Sequence, residues 1–399
     1  MPLQKIVFAF FLLVLIVAGW AVSERRYLQR YLTFQGDPMV VPLEWFDPVD
    51  RVVGRQDDNL PVATAAALTI DSRALEAAAT FAAEQNSQAF IVVHRGVVQL
   101  ERYWQGADRD TRFNPQSMSK TVLGLLMGAA LADGHIRGVD DPVGNYIQEW
   151  ADDPRGAMSI RQALAMAGGL EQMAMSYENS FFSRGTRYNF GDDFNGMILE
   201  LGLVDPPGTR FEYNNEETNL LGMVIERATG QRYASYLAEK IWQPLELADA
   251  DMYLDRAGGS VMKSCCIFSR PYDWAKLGQL VLNRGRYKGR QIIPTGWIDA
   301  MITPSVLAHY YGYQTWLGDG YVEPGSSAPA GSDRAVAPDG YLTDDMIVFL
   351  GFGGQRVWIS PRHELVIVRG TARWPVSWVE TRIPNLIIKG LAGRETPAA

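Results

Sequence analysis

The chain is short of several things that would place it in a class at once. Among its 399 residues are 2 cysteines and 4 histidines. The cysteines are neighbours, Cys265 and Cys266, a spacing that suits neither a CxxC metal clip nor ordinary disulfide geometry, so no disulfide framework is expected. His94, His135, His309 and His363 are scattered without an HExxH or a His/Cys pairing, and neither a metal site nor a cofactor is expected. Positive charge is in deficit: 37 Lys plus Arg face 45 Asp plus Glu, for a net charge of -8. That balance argues against a body that condenses on nucleic acid. The 38 Gly and 21 Pro follow no collagen-like period, and no internal repeat is visible. What remains is an ordinary globular composition, 47% hydrophobic and 21% charged. At about 150 residues per domain the length suits two to three domains and a sizeable core.

One segment departs from that average. Ile6 to Val22 is an uncharged apolar run, preceded by Lys5 and followed by Arg25, Arg26 and Arg30. It approaches the length of a membrane span and has no polar face, which sets it apart from a buried core helix. Gly19-Trp20-Ala21 offers a small-x-small cleavage site, but Trp20 and the length of the run favour an uncleaved anchor. Charge counted by itself would draw the body inward, since three arginines follow the run.

Beyond this anchor (1–33), residues 34–70 are punctuated by Pro and Asp and read as an extended wrap. Ser72 to Glu84 has helical periodicity, and Ala89 to Trp104 gives two β-rich runs about a turn at His94-Arg95-Gly96. A second such hairpin joins Gln355–Ser360 to Glu364–Arg369. Between these ends the sequence reads as helices over Met118–Ala132, Ser159–Ala165, Asn219–Ala228, Arg232–Ile241 and Tyr272–Asn283. The expected fold is α/β of the α+β kind: an antiparallel sheet from both ends of the chain (71–145 and 250–395), flanked by helices, with a mainly helical insertion at 146–249.

Three short motifs carry chemistry. Ser117-Met118-Ser119-Lys120 opens a helix that is apolar all round and therefore central. Ser117 and Lys120, at i and i+3, share one face, where an amine in a dry site can help deprotonate the alcohol. The same residues also fit a helix-capping serine beside a solvated lysine. Ser260-Val261-Met262-Lys263 repeats the spacing, but in a Gly/Ser-rich turn that reads as an exposed loop. Tyr213-Asn214-Asn215 lies between a Pro-Gly turn and a helix, where the tyrosine can shuttle protons and the amide can hold a lysine and a substrate carbonyl; it also fits a packing aromatic. Tyr177-Glu178-Asn179 imitates it in a polar stretch, leaving Tyr177 as a candidate pocket wall. Gly351-Phe352-Gly353-Gly354-Gln355 follows the apolar run Met346–Leu350 and lets a ligand approach a strand edge, or is a plain β-turn.

In this order the motifs resemble those of the serine β-lactamase and penicillin-binding-protein superfamily, in the branch with class C β-lactamases, esterases and 6-aminohexanoate-dimer hydrolases. The resemblance rests on FNPQSMSKTVLGLLMGAALADG with VDDPVGNYIQEW, IRQALAMAGGLE, PPGTRFEYNNEETNLLG, CCIFSRPYDWAKLGQLVLNRG and FLGFGGQRVWISP, over about residues 85 to 392. It implies that Ser117 is acylated, Lys120 activates it, Tyr213 shuttles the proton and Asn215 orients. The oxyanion would be held by backbone N–H groups of Ser117 and Phe352, with Gly351 and Gly353 beside the substrate. It also implies an exported envelope enzyme, which puts the body outside the cytoplasmic membrane.

One departure bears on substrate. The family's Lys-Thr-Gly or His-x-Gly is Phe349-Leu350-Gly351 here, without the cation that binds a β-lactam carboxylate. Arg356 replaces that charge only if it faces the cleft. No glutamate matches the class A deacylating base, so deacylation falls to Tyr213 with Lys120. The expectation is a membrane-anchored serine hydrolase acting on a small-molecule ester or linear amide. The alternatives are a D-Ala-type peptidase or β-lactamase, and a non-catalytic tethered binding protein. Loops at 171–193 and 305–339 would shape the acyl pocket, with Tyr177, Phe181, Phe182, Tyr310, Tyr311 and Trp316 as candidate walls, and Cys266 as a buried packing residue near the site.

Overall fold

The computed structural model describes residues 3–57, 60–173, 181–318 and 340–392. The chain opens with α1 (Leu3–Ser23) and α2 (Arg25–Thr33), and the helical path runs on between them through Glu24 N to Trp20 O and Leu28 N to Glu24 O, both 2.9 Å. From Lys5 to Trp20 the side chains of α1 are exposed, and by length and composition the helix is apolar enough to cross a membrane. The wrap is more than extended coil: β1 (Val49–Val52) lies within it. Then come α3 (Ser72–Glu84), β2 (Ala89–His94), β3 (Val97–Tyr103) and α4 (Ser119–Ala132).

The middle of the chain is helical, with α5 (Ile160–Leu164), α6 (Arg184–Phe190), α7 (Phe194–Leu199), α8 (Asn215–Thr229) and α9 (Tyr233–Leu237). The chain returns through β4 (Ala250–Tyr253), β5 (Ile267–Phe268), α10 (Pro271–Leu282), the small hairpin β6 (Arg286–Tyr287) and β7 (Arg290–Gln291), and α11 (Thr295–Met301). It closes with β8 (Trp316–Leu317), β9 (Ile347–Gly351), β10 (Gln355–Ser360), β11 (Leu365–Gly370) and α12 (Arg382–Ala392).

The two hairpins read from the sequence join in one antiparallel sheet, in the order β3-β2-β11-β10-β9-β8. Register and period decide its two faces. Ile91, Val368, Val357 and Phe349 lie in one line across the sheet, as do Val93, Val366, Ile359 and Ile347. All of these point to the core shared with α4 and α10. Phe90, Val92, Ile367, Trp358 and Val348 point the other way, toward α3 and α12. Gly278 lets α10 lie on the sheet, because a Cβ there would come within 2.6 Å of Val366 and 3.1 Å of Val357. A second sheet, β1-β4-β5, ties the wrap to the segment leading into α10.

Several local readings are corrected. The helix expected from Asn219 begins at Asn215, because the Asn214 side chain caps it, accepting from Glu216 N at 2.8 Å and Glu217 N at 3.1 Å. The helix expected over Arg232–Ile241 changes after Leu237 to a wider turn over Ala238–Trp242. The Ser260–Lys263 stretch is not an exposed loop throughout: Lys263 is fully buried and pairs with Glu226 at 3.0 Å. Cys265 and Cys266 are bonded to each other. Adjacency had argued against ordinary bridging geometry; a backbone turn with Cys266 at φ 75° accommodates the link.

α2 is fixed to the body. Tyr27 and Arg30 are its buried residues, and the Arg30 guanidinium donates to the carbonyls of Gly191 and Leu254, both at 2.8 Å. It also lies 4.7 Å from the Tyr253 ring centroid. Phe181 packs against Trp20, Tyr27 and Tyr31 and so faces the first two helices instead of an acyl pocket, and Phe182 is exposed to solvent.

Candidate active site

The N-terminal side of α4 is built by a strained turn. Gln116 holds φ 53°, and a tight helical turn over Gln116–Met118 feeds Ser117 into α4. From Ser119 to Ala130 every residue of α4 is buried, so Lys120 is carried into the centre of the molecule one turn below Ser117. Its Nζ donates to Ser117 Oγ at 2.9 Å, to Asn215 Oδ1 at 2.7 Å and to the Ser264 carbonyl at 2.9 Å. Burial pushes this amine down to about 7, partly opposed by the Glu216 carboxylate.

The second motif converges on the same amine. The Tyr213 ring lies 4.9 Å from Lys120 Nζ and packs on Trp316 and Tyr311, with centroids 5.2 and 6.2 Å away. Tyr310, Tyr311 and Trp316 thus gather on the Tyr213 side, joined by Phe211. Asn214 caps α8, which leaves Asn215 at the first helical position with its amide turned to the lysine.

Glu216 and Glu217 are functional neighbours that the sequence did not single out. Two acids after a capping residue read as a solvated first turn favoured by the helix dipole. Both are instead buried. Glu217 accepts from Gly168 N at 3.1 Å, and Glu216 from Met173 N at 3.0 Å. Burial raises both, Glu217 to about 8. They hold the 168–173 segment against the site.

The third motif is brought in by β9. Gly351, its last residue, abuts the turn ahead of Ser117: an added Cβ would overlap the Pro115 carbonyl oxygen. Phe352 follows in the turn Phe352–Gly354, its ring 4.6 Å from that of Trp374, and Gly353 takes φ 70°. Two buried arginines brace the carbonyls of this loop. Arg356 donates to Gly351 O at 2.6 Å and Arg369 to Gly354 O at 2.6 Å. Arg356 is also held by Glu380 at 2.7 Å, so its charge is spent inside the fold and does not stand in for the missing cation. A single charged residue in the apolar strand LVIVRG was the available signal for Arg369.

Ser117, Lys120, Tyr213 and Asn215 therefore meet at one amine, and Gly351 comes to the turn ahead of Ser117, whereas Phe352 contacts Trp374 and Gly353 lies against Met39. Tyr177 lies outside the described residues, as do 319–339 of the second loop. Among the described residues no group of three or more His, Cys, Asp or Glu side chains is placed to hold a metal ion.

Comparison with known proteins gives the family and the fold. The family model described as Beta-lactamase matches residues 74–383. The chain is similar to the 6-aminohexanoate-dimer hydrolase of Paenarthrobacter ureafaciens, 27% identical over 319 residues that cover 73% of this chain and 74% of the relative. Among solved structures it is similar to a Bacillus anthracis protein assigned as a 6-aminohexanoate-dimer hydrolase, with a TM-score of 0.70 at 21% identity over 90% of this chain and 95% of the other. A family VIII carboxylesterase superposes with a TM-score of 0.59 at 14% identity, over 80% and 98% of the two chains. At these identities the structural likeness carries the fold alone.

Proposed function

The chain belongs to the Beta-lactamase family, and on that premise we propose that it is a serine hydrolase that opens an ester or linear amide through an acyl-enzyme on Ser117. The observation that carries this reading is the 2.9 Å contact of Lys120 Nζ with Ser117 Oγ, made by an amine that burial has pushed down to about 7. A neutral lysine can take the Ser117 proton as Oγ attacks the carbonyl. Backbone N–H groups of Ser117 and Phe352 would hold the oxyanion, and Tyr213 with Lys120 would pass the proton to the leaving group. The same groups then activate the water that releases the acyl chain.

Phe349 in place of a cation, with Arg356 engaged by Glu380, supports acyl groups without a carboxylate anchor. That favours esters and linear amides over D-Ala peptides and β-lactams. A relative named for 6-aminohexanoate-dimer hydrolysis and a carboxylesterase neighbour fit the same reading.

The site is proposed to work beside a membrane. Exposed, apolar α1 is suited to a single-pass anchor, and Trp20, Tyr27, Tyr31 and Phe181 cluster at its end as aromatics do at a bilayer interface. A catalytic body outside the cytoplasmic membrane follows from the resemblance of its motifs to the penicillin-binding-protein superfamily.

A fluorophosphonate probe followed by peptide mapping tests the chemistry. The expected result is an adduct on Ser117, with turnover of a short acyl ester lowered at least about a thousandfold in Ser117→Ala. Parent-level hydrolysis in Ser117→Ala would sink the proposal. No adduct under conditions that label a control hydrolase would favour a tethered binding protein. Side-by-side turnover of an aminohexanoate dimer, a D-Ala-D-Ala peptide and a chromogenic cephalosporin then ranks the substrate classes.

A further inference from the structure

The scarcest residues of the chain stand next to the lysine's third acceptor. Ser264, whose carbonyl accepts from Lys120 Nζ at 2.9 Å, immediately precedes the bonded pair Cys265–Cys266. The segment is clamped on both sides of that pair. Ahead of it, Asn219 Oδ1 accepts from Lys263 N at 2.7 Å and Ser264 N at 3.3 Å, and Asn219 Nδ2 donates to Ser264 Oγ at 3.0 Å. Behind it, Ile267 N donates to Ser119 Oγ at 3.4 Å, and Ile267 pairs with Met252 between β4 and β5. Between the clamps Cys266 holds φ 75°, a backbone conformation that residues with a Cβ avoid unless their surroundings impose it. Cys265 is half-buried and Cys266 buried. Both line a cavity with Asn114 and Gln116, next to the nucleophile's turn.

We propose that the Cys265–Cys266 disulfide is a redox-sensitive positioning element: joined, it holds the Ser264 carbonyl on Lys120, and reduced, it lets the 264–267 backbone relax and withdraws that acceptor. The inference rests on Ser117 and Lys120 being the acylating pair. A dithiol supplies the electrons. Its thiolate bonds to the more accessible Cys265 Sγ, the disulfide breaks, and the electron pair leaves on Cys266 Sγ, which takes up a proton. The second thiol of the reductant then attacks the mixed disulfide, closes its own S–S bond and releases Cys265 as a thiol.

The groups facing Lys120 set the direction of the effect. They are Ser117 from its own turn, Tyr213, Asn215 and Glu216 from the start of α8, and Ser264. Lys263 is turned away to Glu226. A carbonyl acceptor stabilises an ammonium more than a neutral amine. Its withdrawal makes Lys120 lose its proton at lower pH and removes one of the amine's three anchors.

The test uses the full chain in detergent and a neutral short-chain ester, with Ser117→Ala as the blank. The pH profile of kcat/KM is measured before and after treatment with dithiothreitol, and intact mass verifies the gain of two hydrogens. Reduction is expected to lower the plateau about tenfold and to move the acidic limb down by about one pH unit. Reoxidation restores both, and C265S/C266S shows the reduced profile and ignores the dithiol. Should that variant fail to fold, the parent before and after reduction decides by itself. A fully reduced protein with an unchanged profile overturns the inference, as does full activity in a parent whose cysteines prove to be free thiols. Absence of any Ser117-dependent turnover instead overturns the proposed function, so the two failures are distinct.

Discussion

Asn215 Oδ1 lies 2.7 Å from Lys120 Nζ, joining residues 95 positions apart in the chain. The contact exists because Asn214 takes the capping role at α8 and frees its neighbour to turn toward the amine. One amide sets where the helix starts, and the next positions the base. Asn215→Ala removes a hydrogen bond to a chargeable group, worth about 1.5–3 kcal/mol. A fall of roughly ten- to a hundredfold in kcat/KM for a neutral ester is expected, together with a lower Tm. Asn215→Asp should move the acidic limb upward, since a carboxylate favours the ammonium form. Parent-like kinetics in both variants would remove Asn215 from the machinery.

Turnover should rise with pH through about 7, where Lys120 loses its proton, against 10.5 for an ordinary lysine. The amine accepts the Ser117 proton only when neutral, so the acidic limb of kcat/KM belongs to it. Stability carries the same signature with a worked sign. Between about 7 and 10.5 the unfolded chain holds a proton on this lysine that the folded chain lacks, so this group's contribution makes stability rise with pH across that window. A kcat/KM profile flat from about pH 5.5 to 8.5 would contradict the assignment.

Arg356 offers a way to separate a brace from a substrate anchor. Its guanidinium spans Glu380 at 2.7 Å and the Gly351 carbonyl at 2.6 Å. Lysine cannot reproduce that fork. Arg356→Lys should lower stability by about 1–3 kcal/mol and reduce turnover of neutral and carboxylate-bearing substrates alike. A KM increase confined to carboxylate-bearing substrates would show that Arg356 reaches the cleft.

The first two helices make a prediction about the mature protein. If α1 stays as an anchor, carbonate washing leaves the chain in the membrane fraction, and its intact mass includes residues 1–23. Arg30→Ala removes five hydrogen bonds, three of them buried, from the guanidinium to the carbonyls of Phe190, Gly191, Asp255, Asp47 and Leu254. It should lower Tm without releasing the protein from the membrane. A soluble product shortened near Ala21 would identify a cleaved signal segment instead.

Much of this was legible because it is local. β-rich runs about turn residues mark β2, β3, β10 and β11 within a residue of their ends, and Ser72–Glu84 matches α3 at both ends. The i, i+3 spacing of Ser117 and Lys120 requires no tertiary contact to share a face. What the local pattern could not reveal was environment. Glu216 and Glu217 drew no notice, Lys263 read as part of an exposed loop, and Phe181 as a pocket wall; burial and partners decide each of these, and the partners are far off in sequence.

The sequence by itself thus determined the sheet, the central helix and the identities of the chemical groups, because hydrophobic period and residue type are written position by position. Only the tertiary structure decided what those groups experience. Lys120 is dry because α4 is surrounded, Arg356 is committed because Glu380 lies across from it, and the two cysteines matter because Ser264 turns its carbonyl to the amine. Desolvation and hydrogen-bond partnership arise only when distant segments meet.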